Sequence, residues 1–339
     1  MSTPSSAIGL PPSLRFDQRL SAGFLRIRRL EGLNAHIVGN DDRVLLDASL
    51  STRDWPPKAG PPVPDPRVEP DCPRIALLSA RAPAIAAVLP RKFLNPVEGG
   101  YWTASVEDSL RDSRFATLPS LRDGMRGTAF LAGPQHLVTA AHVAAQTALS
   151  RLAFVFDFRI DRFRPAGSGL PDRYFFPADT VFHAREDQFL AAESLPRNGD
   201  DIVLIELDRD TGRPALPLAP STALIRDAEV AMIGHARQQP VTLITAACSS
   251  RPSPRVFDFD ARVIRTNIDA FQGNSGSPLL DRQGRALGMH VNALSNESVV
   301  GRGGIRTHLR LDEGQAVSIA GRLTPIVAAL RALGVDVPD

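Results

Sequence analysis

From about residue 105 onward the sequence predicts an all-β fold, an antiparallel sandwich or a pair of barrels, and three observations predict it. Apolar runs there are short and closely spaced, at 202–207, 230–233, 256–259, 263–264 and 278–280. Phe154, Phe156, Phe158 and Ile160 alternate with Val155, Asp157 and Arg159, the period-2 signature of a half-buried strand. The helical pattern comes at the end of the chain. Thr324 can cap it, Pro325 fits a first turn, and Ile326, Val327, Leu330 and Leu333 form one apolar face before Gly334 stops it.

The region before this has another texture. Residues 1–14 are Ser/Pro-rich. Ala35-His36-Ile37-Val38 and Arg43-Val44-Leu45-Leu46 flank Gly39-Asn40-Asp41-Asp42, residues that tolerate positive φ, so this stretch reads as a hairpin. Eight prolines between 56 and 73 favour an extended linker. A short helix is expected within 74–98. For 339 residues two units are the natural expectation: a module at 1–104 with its Pro-rich linker, expected to be regulatory, and a main domain at 105–339.

Composition narrows the function classes. The net charge of +2 is near balance, and no dense basic run with interleaved aromatics occurs, which argues against a nucleic-acid surface. Only Lys58 and Lys92 of the 39 basic residues are lysine. Residues 1–20 lack a basic start followed by an apolar core, so no secretory signal is read there. The most apolar early stretch, 75–89, is broken by Arg81 and Pro83 and is too short for a bilayer. Cys72 and Cys248 are the only cysteines; read as two isolated thiols, they suit a reducing cytoplasm. His36, His136, His183 and His308 show no metal-ligand spacing, and His235 reads as a turn residue after a strand. Gly301-Arg302-Gly303-Gly304 lacks the Lys-Ser/Thr of a phosphate loop. No metal and no cofactor are expected.

Three segments carry chemistry together. Gly273-Asn274-Ser275-Gly276-Ser277-Pro278 offers a hydroxyl on a glycine-flanked turn. Thr139-Ala140-Ala141-His142 offers an imidazole just after the apolar pair Leu137-Val138. Asp200-Asp201 places a carboxylate at the mouth of a strand-like run, and Asp201 is preferred because it abuts Ile202-Val203-Leu204. A serine hydroxyl attacks only if a base takes its proton, and the base must be held in one tautomer by a third group. Alone, each segment has a plain reading as a turn, a core histidine or a strand-end charge. Their order and settings make the combination specific.

With Gly127-Thr128-Ala129-Phe130-Leu131 and Gly288-Met289-His290 added, residues 110–335 resemble the trypsin-like serine peptidases, in particular the bacterial branch that includes the glutamyl endopeptidases. The resemblance implies two six-stranded antiparallel β-barrels, a closing helix on the second, and an endopeptidase acting on proteins or peptides. Ser275 would be the nucleophile, His142 the base and Asp201 its orienting carboxylate. The Gly273 and Ser275 N–H groups would form the oxyanion hole. Digestive members carry Asp before the serine, to pair with a freshly cut N-terminus. Asn274 carries no charge, so that switch is not expected here. A competing expectation is a latent or inactive fold of this type used as a binding scaffold.

Two residues compete for the pocket that takes the side chain before the cleaved bond. His290, fifteen residues after Ser275, is similar to the histidine that binds an acidic side chain in glutamyl endopeptidases. Asp269, six before Ser275, stands where trypsin places its aspartate for Arg and Lys. Ala270 stands where acidic-specific enzymes offer a hydroxyl. Asp269 can also serve simply by accepting backbone donors in its turn.

Overall fold

A computed structural model describes residues 37–38, 43–45, 72–104, 121, 124–145, 147–159, 162–164, 173–187, 189–193, 201–247, 252–293, 297–299, 306–308, 310–311 and 318–337. The fold is all-β, with two antiparallel sheets that curl into barrels and a helix at the end. The first sheet has seven strands, in the order Val181–Phe182, Leu152–Phe156, Ile85–Pro90, Gly127–Gly133, His136–Ala140, Ile202–Glu206 and Ala191–Glu193. The second has eight, running Val256–Phe259, Val263–Thr266, Ser318–Arg322, Ala286–Ala293, Pro278–Leu280, Ala231–Gly234, Thr242–Ile244 and Arg43–Leu45. Seven and eight replace the expected six and six because short flanking strands extend each sheet.

The first barrel is covered on both sides. Along Leu152–Phe156, Phe154 and Phe156 enter the large core shared by both barrels, while Ala153 and Val155 enter a separate apolar cluster. Ile85–Pro90 alternates in the same way, with Ala86 and Val88 in one cluster and Ala87 and Leu89 in the other. A four-stranded sheet built from Leu94–Val97, Gly100–Thr103, Arg173–Pro177 and Phe163–Arg164 contributes Tyr174 and Phe176 to that outer cluster. The expected half-buried strand is therefore buried throughout and ends at Phe156. Asp157 then takes a left-handed backbone (φ 51°), and Phe158 turns into the outer cluster.

Two expectations for the amino-terminal region are corrected. The hairpin does not form: Ile37–Val38 pairs in parallel with Arg310–Leu311, whereas Arg43–Leu45 pairs antiparallel with Thr242–Ile244. The expected turn at 39–42 lies outside the described residues. The boundary between 104 and 105 falls inside the fold, because Ile85–Pro90 is hydrogen-bonded on both sides within the first sheet. A boundary placed where composition changes misses it, since alanine and proline in Ile85–Pro90 weaken the strand pattern. The short helix expected nearby is Pro73–Ser79.

Its cap, Cys72, is disulfide-bonded rather than the isolated thiol expected. The carboxy-terminal helix spans Thr324–Ala332 and begins without a side-chain cap, Thr324 being its first residue rather than its cap. Ile326 and Leu330 are buried, but Leu333 lies 49% exposed beyond the helix end. The helix lies against Ala191–Glu193 of the first barrel. No helix among the described residues is long and apolar enough to cross a membrane.

Candidate active site

The ladder between Ile202–Glu206 and His136–Ala140 pairs Ile202 with Ala140. One step beyond, Ala141 N–H donates to Asp201 O at 3.1 Å. The chain turns there into the helix Ala141–Ala144, which swings His142 over the Asp201 side chain. Asp201 Oδ1 accepts the His142 backbone N–H at 2.8 Å, and Oδ2 meets His142 Nδ1 in a short contact. Asp201 is buried, whereas the His142 side chain is 38% exposed, so the carboxylate holds one edge of the ring and leaves the rest open to a reactant. Asp200, the rival carboxylate, lies outside the described residues.

The serine comes from the second barrel. Ser275 is half-buried, one residue after the fully buried Asn274. Gly276 holds φ +91°, and a Cβ there would sit 1.9 Å from Thr128 O, so only glycine passes. Gly273 holds φ +99° for a similar reason, its missing Cβ lying 2.2 Å from His235 O. Ser277 N–H closes the turn on Asn274 O at 2.8 Å. Among the described residues, the Gly273 and Ser275 N–H groups donate to no protein acceptor. Two donors left free beside a serine hydroxyl are what an anion-stabilising turn requires.

Thr128 stitches this turn to the first barrel. Its N–H donates to Ser275 O at 2.8 Å, and its hydroxyl donates to Gly273 O at 2.7 Å while accepting His235 N–H at 3.1 Å. Thr139, three residues before His142, donates its hydroxyl to Thr128 O at 2.7 Å. A methyl on Gly127 would be 2.7 Å from both Ser275 O and the side chain of Val143. The serine turn and the His142 helix therefore share one tightly packed seam.

Beneath the turn His235 is fully buried and stacks on Phe158 with ring centroids 5.2 Å apart. Burial lowers its pKa to about 4, although the Gln239 carbonyl at Nδ1 works in the opposite direction. The imidazole is therefore neutral near pH 7. It is a core residue rather than the turn residue expected. Asn274 is fully buried too, and its side-chain amide has no hydrogen-bond partner among the described residues.

Asp269, Ala270 and His290, the residues expected to select the side chain before the cleaved bond, are all buried. His290 N–H donates to Ser277 O at 2.7 Å and its carbonyl accepts Gly276 N–H at 2.8 Å, which ties the strand Ala286–Ala293 to the serine turn. His290 Nδ1 is 3.1 Å from Ser318 Oγ on the neighbouring strand. Ser318 is not legible in the sequence because it opens a strand, Ser318–Arg322, that carries no motif. Thr128 lies inside the motif Gly127–Leu131, but nothing local marks it as the cross-barrel hub.

Residues 127–289 match the family described as trypsin-like peptidase domain. Among solved structures, the inactive form of the Rv3671c protease of M. tuberculosis is 15% identical, with 80% of this chain and 100% of that chain covered and a TM-score of 0.41. A Glu endopeptidase is 14% identical over 88% of this chain and 98% of its own, with a TM-score of 0.44. The VesB protease of Vibrio cholerae is 15% identical over 75% and 63%, with a TM-score of 0.39. No curated protein sequence matches the chain.

Proposed function

We propose, from the premise that residues 127–289 form a trypsin-like serine peptidase domain, that the chain is an endopeptidase working through His142, Asp201 and Ser275. Ser275 Oγ attacks the scissile carbonyl as His142 takes its proton, and the same proton then goes to the leaving amine. Water activated by His142 releases the acyl group from Ser275. Asp201 holds the imidazole by its Nδ1 side and offsets the positive charge it gains. The Gly273 and Ser275 N–H groups stabilise the oxyanion, each contributing about 3 kcal/mol to the transition state.

The observation that carries this reading is the double hold of Asp201 on His142, with the serine turn packed on the same seam. The test is fluorophosphonate labelling of the full chain, with cleavage of a mixed peptide library followed by mass spectrometry. Labelling and cleavage are expected in wild type and lost in Ser275→Ala and His142→Ala. Cleavage that survives in Ser275→Ala would falsify the mechanism. A folded wild type that neither labels nor cleaves would favour the binding-scaffold reading.

For substrate preference we favour an acidic side chain before the cleaved bond. His290 would meet its carboxylate, and the Ser318 hydroxyl offers Nδ1 the partner that Ala270 lacks. The same library separates this from a basic preference through Asp269: cuts after Arg or Lys would reverse the assignment. The bonded Cys72 supports an oxidising compartment rather than the cytoplasm. A regulatory role for the amino-terminal residues would act on the second barrel, whose edge Arg43–Leu45 extends.

A further inference from the structure

Each oxyanion donor is aimed by the carbonyl of its own peptide. A trans peptide is planar, with its C=O and N–H pointing in opposite directions. Whatever holds the carbonyl therefore sets where the N–H points. For Ser275 that carbonyl is Asn274 O, held from within the turn by Ser277 N–H at 2.8 Å. For Gly273 it is Gln272 O, and the group that holds it is Arg237 N–H at 2.7 Å, from a loop 35 residues earlier.

That loop has unusual backbone. Arg237 and Gln238 both lie in the left-handed region, at φ 62° and 58°. Side chains avoid this region, and non-glycine residues persist there only where their surroundings over-determine them. Here the surroundings do so. Gln238 N–H donates to His235 O at 2.9 Å, Gln238 O accepts Leu121 N–H at 2.9 Å, and Gln238 Nε2 donates to Met125 O at 3.0 Å. Gly273 passes so close that a Cβ on it would lie 2.9 Å from Gln238 N. Loop and turn cannot shift independently.

We propose that the left-handed Arg237–Gln238 pair is a positioning element for the reaction: through the Arg237 backbone N–H it locks the Gln272–Gly273 peptide with its N–H toward the oxyanion. The inference rests on Ser275 being the nucleophile. Without the latch the Gln272 carbonyl is released, and the peptide can turn that oxygen toward the oxyanion position, where it repels the developing charge. The loss falls on the chemical step, because ground-state contacts do not use this donor.

The test needs no knowledge of the preferred peptide. The full chain is labelled with a fluorophosphonate, and the maximal rate and half-saturating concentration are measured for wild type, Ser275→Ala, Arg237→Val and Arg237→Gly. Both Arg237 variants lose the guanidinium, but only glycine is at ease at this φ. Arg237→Val is expected to lower the maximal rate about 10²-fold, the loss of one oxyanion donor, with half-saturation little changed; Arg237→Gly recovers most of that rate. Equal losses in the two variants would assign the effect to the guanidinium and overturn the latch, as would a wild-type rate in Arg237→Val. Should Arg237→Val not fold, Arg237→Asn and Arg237→Ala replace the pair. Asparagine tolerates the left-handed region better, so a rate in Ala equal to or above that in Asn overturns the proposal. Labelling absent in wild type, or persisting in Ser275→Ala, overturns the nucleophile reading itself, a result distinct from failure of the latch alone.

Discussion

The two barrels hold their parts of the site by different means. His142 and Asp201 leave the ends of two paired strands whose sheet is buried on both faces, so a ladder and two apolar clusters fix their positions. Ser275 sits on a turn built from positive-φ glycines, and separate hydrogen bonds from Thr128, Ser277 and Arg237 and to and from His290 hold it. A ladder distributes a disturbance over a continuous run of paired bonds, whereas a turn held by separate bonds to different elements does not. Damage to the first barrel should therefore appear as lost stability, and damage around the serine turn as lost rate.

The largest expected effect tests the exception, where the proposed mechanism has the first barrel itself do chemistry. Asp201→Asn keeps the shape but loses the charge behind the imidazole, and kcat should fall about 10⁴-fold with little change in melting temperature. A fall in melting without a fall in kcat would make Asp201 a structural residue only.

Phe154→Ala removes a fully buried ring from the shared core. Denaturant unfolding should show a loss of about 3–5 kcal/mol, while kcat measured well below the transition stays within a few fold. A large kcat loss in a folded Phe154→Ala protein would break the contrast between the barrels.

Lowering the pH probes the second barrel through His235. Its pKa is about 4 in the fold and about 6.5 in the unfolded chain. The neutral, folded form is thus favoured fully above pH 6.5, and this stability drains away as pH falls from about 6.5 to about 4. By linkage the loss reaches about 3 kcal/mol. His235→Gln, which can still donate to Gln239 O, should flatten that part of the urea-midpoint profile between pH 7 and pH 4. An unchanged acid slope would show that the imidazole is not the group responsible.

Thr128→Val is expected to cost less stability than Phe154→Ala or the protonation of His235, and it sharpens the contrast most. The substitution is close in shape but removes the hydroxyl that donates to Gly273 O and accepts His235 N–H. Stability should fall by about 1–3 kcal/mol, and kcat by about 10-fold or more as the turn loosens. Equal kcat in the two proteins would mean that the turn does not depend on its tie to the first barrel.

The candidate triad residues could be read along the chain because each sits in a local setting with its own signature. Glycines at 273 and 276 answer to positive φ, and Asp201 answers to the start of a strand. The strand Ile85–Pro90 was hidden because both its faces are buried, which removes the period-2 alternation that marks a strand with one wet face. Arg43–Leu45 reads as a strand, but its partner is not legible nearby, since register and partner depend on residues two hundred positions away.

Local chemistry along the chain thus specified the strand-rich class, the glycine turn, and the order of imidazole, carboxylate and hydroxyl. It could do so because propensity and turn geometry act over a few neighbouring residues. Folding in three dimensions settled the rest: Thr128 as the hub, Arg237 behind the Gln272 carbonyl, Ser318 against His290, and Cys72 in a disulfide. These contacts join residues far apart in the chain, and their energies exist only once both barrels have closed. No window of sequence contains both partners.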